Sequence, residues 1–245
     1  MRLGIVLTAS PGSASFEEVY KTASHAIDAG DSVSVFVDAD GLQSVHDNDT
    51  AQGPNLLALQ DRGATVMLCS HCLHESGRDF DSLARTGDLD ELSRLIASAD
   101  RLISPDHPER PLVGVSKGSA TSRSGEPAMQ ARRILLNVAS GPTGHEPEPA
   151  LEGLRAAVSL ASATERHSVT VLMTDGGTHL LARPGTSEAG AMLTSLVALG
   201  STCYISRSTL AFHGLDEPTL RARATVTEDE TATALLAEAE VILTY

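Results

Sequence analysis

The residues best suited to chemistry are gathered in one stretch, CSHCLHESG, residues 69–77. Cys69 and Cys72 form a Cys-x-x-Cys pair, with His71 and His74 interleaved. A cysteine of this kind works as its thiolate, which attacks sulfur or carbon electrophiles or ligates a metal. The stretch follows directly on the apolar run TVML, residues 65–68, so Cys69 is expected at the carboxyl end of a strand, on the sheet edge where open α/β folds bind ligands. If residues 70–76 form a short helix closed by Gly77, the Cys69 sulfur stands at its N-terminus, where unpaired backbone N–H groups favour a thiolate. Such a thiolate can accept a sulfane sulfur and pass it on.

The neighbouring groups leave alternatives open. Cys72 either resolves or protects Cys69 by closing a disulfide, or is a thiol on the inner face of the short helix with no chemical role. His71 and His74 supply protons, ligate zinc together with the cysteines, or are solvated surface residues. A structural zinc site usually draws ligands from two separate segments, and no second cluster accompanies this one, so neither a metal nor another cofactor is expected. Asp38 and Asp40 end the second expected strand and share the carboxyl edge with Cys69; they touch a ligand or cap the next turn. His25 falls inside the first expected helix and reads as packed or solvated. Cys203 lies within a strand, which makes it a buried packing thiol.

These residues need a scaffold, and the chain supplies it twice. LGIVLTA (3–9) is apolar and β-branched, as a buried parallel strand would be. Phe16 to Ala29 carries Val19, Ala23, Ala26 and Ile27 at helical spacing, with Gly30 in the C-cap region. A strand at 32–38 follows, then a helix and strand running from Asn55 through Gly63 to Leu68, then a helix at 88–99 and a strand at 101–104. This alternation implies a parallel sheet covered by helices on both faces. The second half repeats the order with a strand at 133–139, a helix at 150–164 and a strand at 168–174. Gly63, Val66, Cys69 and Gly77 fall opposite Gly200, Cys203, Ser206 and Gly214 at one constant offset of 137. The closing segments, LSRLIASADRLIS (92–104) and ALLAEAEVILT (234–244), share a helix, an acidic residue and a strand. The reading is an internal duplication: a first domain at 1–104, a linker at 105–132 rich in Pro, Ser, Gly and Arg with a short strand at 112–115, and a second domain at 133–245.

Composition narrows the function classes. A formal charge of −14 repels phosphate backbones, so nucleic acid is not an expected partner. The apolar runs fall far short of the roughly 20 residues that span a bilayer, and the run after Arg2 is too short for a signal peptide. Three cysteines without a secretory signal point to a reducing, cytoplasmic setting. GVSKGSATS (114–122) lacks the spacing of a phosphate loop, and no dinucleotide fingerprint follows either first strand.

A cysteine after the third strand and eight positions before a glycine resembles the active-site segment of DsrE/DsrF proteins. The openings of both halves and the segments VFVDADGL and VLMTDGG fit the same comparison. The resemblance implies two tandem three-layer α/β/α domains with parallel sheets, assembly into homo-oligomers, and relay of persulfide sulfur between donor and acceptor proteins or small thiols. The second copy departs from the pattern, because Ser206 stands where Cys69 would be and a hydroxyl cannot hold a persulfide. Three functions are therefore weighed: a sulfur carrier using Cys69, a non-catalytic oligomeric binding module, and a Cys-x-x-Cys thiol oxidoreductase.

Overall fold

A computed structural model of the chain describes residues 1–8, 11, 13–45, 56–76, 84–104, 131–140, 148–183, 186–220 and 223–245. Most of the expected linker, with its strand at 112–115, and Gly77 lie outside these residues. The chain divides into two compact units, residues 1–130 and 131–245.

In the first unit, β1 (Arg2–Leu7), β2 (Ser32–Val37), β3 (Thr65–Cys69), β4 (Arg85–Gly87) and β5 (Arg101–Ile103) form a sheet in the order β4-β3-β2-β1-β5. Every pairing is parallel. The connections carry α1 (Ala14–Asp28), α2 (Leu57–Asp61), α3 (Ser70–Ser76) and α4 (Leu89–Ser98). The second unit has β6 (Arg133–Val138), β7 (Ser168–Met173), β8 (Thr202–Ser206), β9 (Thr225–Thr227) and β10 (Val241–Thr244), also all parallel, in the order β10-β6-β7-β8-β9. Read from the other edge, this is the order of the first sheet. Its helices are α5 (Pro149–Ser162), α6 (Glu188–Ala198), α7 (Arg207–Phe212), α8 (Glu217–Leu220) and α9 (Asp229–Glu238). Two similar α/β/α units in tandem are what the alternating pattern called for. The short edge strands β4 and β9 were not foreseen: three residues with little apolar content give no period to read.

The central strands are apolar on both faces because helices cover both. Ile5, Val6 and Leu7 of β1 and Val35, Phe36 and Val37 of β2 are fully buried, as are Leu136 and Val138 of β6. Each helix has a defined start and stop. Ser13 caps α1 by accepting the Phe16 N–H, and Asp88 and Glu91 form a reciprocal capping box on α4.

The repeat reaches atomic detail at four places. Gly63 after α2 and Gly200 after α6 both have positive φ (102° and 81°), the left-handed step that ends a helix, and each is followed by an N–H bond reaching back five residues, Ala64 to Leu59 and Ser201 to Leu196. The Asp38 N–H donates to Leu7 O at 2.9 Å, and the Thr174 N–H donates to Val138 O at 3.0 Å. Ala39 and Asp175, next in line, both sit at positive φ, 45° and 40°. Finally, the acidic residue before each closing strand has a physical role. Asp100 Oδ2 accepts the Arg2 N–H at 2.8 Å, and Glu240 Oε2 accepts the Arg133 N–H at 2.8 Å, tying the first strand of each unit to its last.

Two expectations follow. A Cβ on Gly41 or Gly177 would press into the carbonyl oxygen of Leu7 or Val138, so Gly41→Ala and Gly177→Ala should each cost about 1–3 kcal/mol in denaturant unfolding; wild-type midpoints would refute the close approach. The Asp100 carboxyl is held below its ordinary value of 3.8, chiefly by its hydrogen bond to the Arg2 side chain. Its contribution is thus complete above pH 3.8 and is lost as pH falls through the lower folded value. Asp100→Asn should lower stability at pH 7 and change it little in strong acid, which unfolding curves across that range will read; the effect is modest because the pair is solvent-screened.

Candidate functional site

Strand β3 ends at Cys69, opposite Gly87 of β4, and α3 begins at the next residue, as the sequence required. Cys72 lies in the first turn of α3, on the side facing the sheet, and is fully buried. The turn after β2 delivers the third member. Asp38 precedes a 3-10 turn over Ala39–Ser44 and caps it by accepting the Ala39 N–H on Oδ1 at 3.0 Å. The same oxygen accepts the Cys72 thiol at 2.9 Å. A carboxylate oxygen of Asp38 and the sulfurs of Cys69 and Cys72 all lie within 4.8 Å of one another, and the three residues are at most 1% exposed.

The turn that carries Asp38 is strained and tightly folded. Ala39 is held in the left-handed region at a cost on the order of 1–3 kcal/mol. Gly41 packs against the β1 carbonyl, and Ser44 Oγ donates to Gly41 O at 2.5 Å. Asp40 belongs to the same turn.

The histidines do not join the cluster. His71 Nε2 lies 3.0 Å from Glu75 Oε1, one helical turn along α3. His74 is exposed, and so is His25 on α1. Of the four residues singled out as chemical by spacing, the fold gathers Cys69 and Cys72 and sets His71 and His74 apart. Asp38 is the member whose weight the sequence understated. Its signal was its position one residue beyond the second strand, which parallel pairing sets beside the end of the third. The cluster also draws on two separate segments, the condition for a metal centre that the linear sequence did not meet.

The second unit shows what the same backbone does without these groups. Thr174 stands at the Asp38 position, Ser206 at that of Cys69 and Thr209 at that of Cys72. Ser206 caps α7, accepting the Thr209 N–H at 3.2 Å, and its hydroxyl donates to Thr209 Oγ1 at 2.9 Å. Thr174 Oγ1 donates to Asn137 Oδ1 at 2.8 Å. Ser208 Oγ reaches Asp229 Oδ1 at 2.7 Å, and this bond first, with Ser206 second, holds the Asp229 carboxyl below its ordinary value. Three hydroxyls thus replace one carboxyl and two thiols, and their bonds are those of a helix start.

Against this geometry the comparisons are informative. The DsrE/DsrF-like family matches residues 1–105, the sequence of the first unit without most of the expected linker. Residues 1–105 have a DsrE/DsrF-like fold. The second unit repeats that fold, as a duplication leaves it. A crystal structure of the ychN protein from E. coli is similar to this chain at 17% identity over 46% of this chain and 99% of that one, with a TM-score of 0.41. No curated protein matches the sequence.

All three thiols are buried, Cys69 at 1%, Cys72 at 0% and Cys203 at 3% exposure, so burial does not rank them. Cys203 differs in its surroundings: desolvation pushes its thiol up to about 12. In the folded protein Cys203 should stay unalkylated from neutral to mildly alkaline pH and be labelled only on unfolding; peptide mapping that finds Cys203 modified ahead of Cys69 would contradict its role as packing.

Proposed function

We propose that the protein carries sulfane sulfur on Cys69 as a persulfide, taking it from a donor protein or small thiol and handing it to an acceptor. The observation that carries this reading is the Asp38–Cys69–Cys72 cluster at the carboxyl edge of the first sheet, inside the segment that matches the DsrE/DsrF-like family. In loading, Cys69 loses its proton and attacks the terminal sulfur of a donor persulfide, R–S–SH. A bond forms between Cys69 and that sulfur, the donor S–S bond breaks, and the leaving thiolate R–S⁻ takes up the proton. The Asp38 carboxylate, within 4.8 Å of the Cys69 sulfur, is the base for that proton in this scheme. Delivery is the same exchange run toward an acceptor thiolate.

Burial supports the scheme in one respect and constrains it in another. A water-poor site protects a persulfide from side reactions. A thiol 1% exposed meets its donor only after neighbouring side chains move aside, so loading is slow unless the donor docks and opens the site. Among the described residues no helix is long and apolar enough to cross a membrane.

A second reading, a dithiol oxidoreductase, is favoured by the proximity of the Cys69 and Cys72 sulfurs. Intact mass separates the two. The reduced protein treated anaerobically with a polysulfide should gain whole sulfur atoms; Cys69→Ser should abolish the gain and Cys203→Ser should leave it. Loss of two hydrogens without added sulfur points to the dithiol couple instead. No gain in the wild type, or an undiminished gain in Cys69→Ser, rules out Cys69 as the carrier.

A further inference from the structure

We infer that Asp38, Cys69 and Cys72 form a binding site for a zinc-class divalent cation, with two thiolates and one carboxylate as its protein ligands. The site stands independently of the sulfur-carrier reading. The donors come from two segments, the turn after β2 and the junction of β3 with α3, and converge because the two strands are parallel neighbours in register. Zinc bonds of about 2.3 Å to sulfur and 2.0–2.2 Å to oxygen place tetrahedral donors about 3.5–3.8 Å apart. The Cys72 sulfur and Asp38 Oδ1 are 2.9 Å apart, spaced for a shared proton, and every pair in the cluster lies within 4.8 Å. Seating the cation therefore moves each pair by about 1 Å or less.

Charge and donor softness select the class of ion. A buried carboxylate with two thiols carries one negative charge; with two thiolates and a divalent cation the sum is the same. One cation displaces two protons, and the buried cluster keeps its net charge, which a low-dielectric site favours. Two thiolates are poor ligands for magnesium or calcium, while a carboxylate oxygen suits zinc better than copper(I). The three protein donors leave one tetrahedral position for water or an exogenous thiol.

The second unit supplies an independent reason. At the three corresponding positions the fold is satisfied by Thr174, Ser206 and Thr209, neutral groups bonded to each other and to nearby polar atoms. The backbone does not call for a buried carboxyl and two thiols there. The set is exchanged as a whole, as ligands of one ion would be.

A metal on Cys69 blocks sulfur loading at the same atom, a corollary that rests on the sulfur-carrier reading. The experiment uses the full chain, reduced and freed of metal, titrated with cobalt(II) and then zinc(II). Cobalt should give thiolate-to-metal charge transfer and the intense visible bands of a tetrahedral site at one ion per chain, and zinc should displace it. Cys72→Ser should weaken binding by at least about 100-fold, beyond what loss of an outer-shell partner usually costs, and Asp38→Asn by at least about tenfold. Cys203→Ser should change nothing. Circular dichroism shows that each variant is folded. A wild-type protein with no cobalt–thiolate band overturns the site, as does a folded Asp38→Asn that binds like wild type or a dependence on Cys203. Polysulfide loading with and without zinc completes the test: a metal-free protein that takes up no sulfur fails the carrier reading alone, whereas a missing cobalt band fails the metal site alone.

Discussion

One oxygen atom joins the two halves of the site. Asp38 Oδ1 accepts the Ala39 N–H, which shapes the turn leaving β2, and the Cys72 thiol, which fixes the first turn of α3 against the sheet. Because α3 starts one residue beyond Cys69, anchoring Cys72 also sets the direction in which Cys69 leaves β3. The arrangement depends on the sheet beneath it. Parallel pairing of β2 with β3 sets Val37 beside Leu68, so the residue after each strand meets its neighbour at the same edge. A buried carboxylate is costly without hydrogen-bonding partners, and here the partners are supplied by a strained turn on one side and a thiol on the other.

The duplicated unit separates what the fold demands from what the chemistry demands. Both copies keep the helix-ending glycines, the positive-φ residue after the second strand, the close approach at Gly41 and Gly177, and the acidic tie between first and last strands. These are the terms of the scaffold. The carboxyl and thiol groups are not among them, since hydroxyls at the same places complete a helix cap and its neighbouring bonds. Ser206 is more than a lost cysteine in this light. Its side chain accepts the Thr209 N–H, a bond that a thiol makes poorly, so the second copy has turned a chemical position into a structural one.

Much of this was legible in the sequence because it rests on local rules. The strands at 3–9, 32–38 and 65–68, the helix at 88–99 and the short helix after Cys69 each follow from apolar periodicity and capping residues, and the constant offset of 137 exposed the repeat. What escaped reading is non-local. Nothing in the spacing of Asp38 and Cys72 says that they share a proton, because their meeting depends on which strands are neighbours and in what register. The same holds for the burial of Cys69: a strand-end cysteine at a sheet edge suggests access, and only packing of α3 and the turn after β2 closes it off. His71 and His74 illustrate the reverse error. Interleaving with cysteines suggests shared chemistry, but residues two and five beyond the strand lie on other sides of a helix, and His71 finds Glu75 one turn on.

On the sulfur-carrier reading, the Asp38–Cys72 bond bears on how long a persulfide survives. Attack by Cys72 on the inner sulfur of a Cys69 persulfide would close the Cys69–Cys72 disulfide and expel sulfide, a two-electron event that leaves the carrier oxidised and in need of an external reductant. Thiols attack as thiolates, and a thiol whose hydrogen is engaged by a carboxylate is a poor nucleophile while the bond lasts. The carboxylate thus has opposite effects on the two cysteines: it takes the proton that Cys69 must lose, and it occupies the one Cys72 must lose to interfere. A lone cysteine at the strand end would have neither control. A second cysteine without the acid would discharge the first. The combination of all three groups, buried together, is what allows sulfur to be held until an acceptor opens the site.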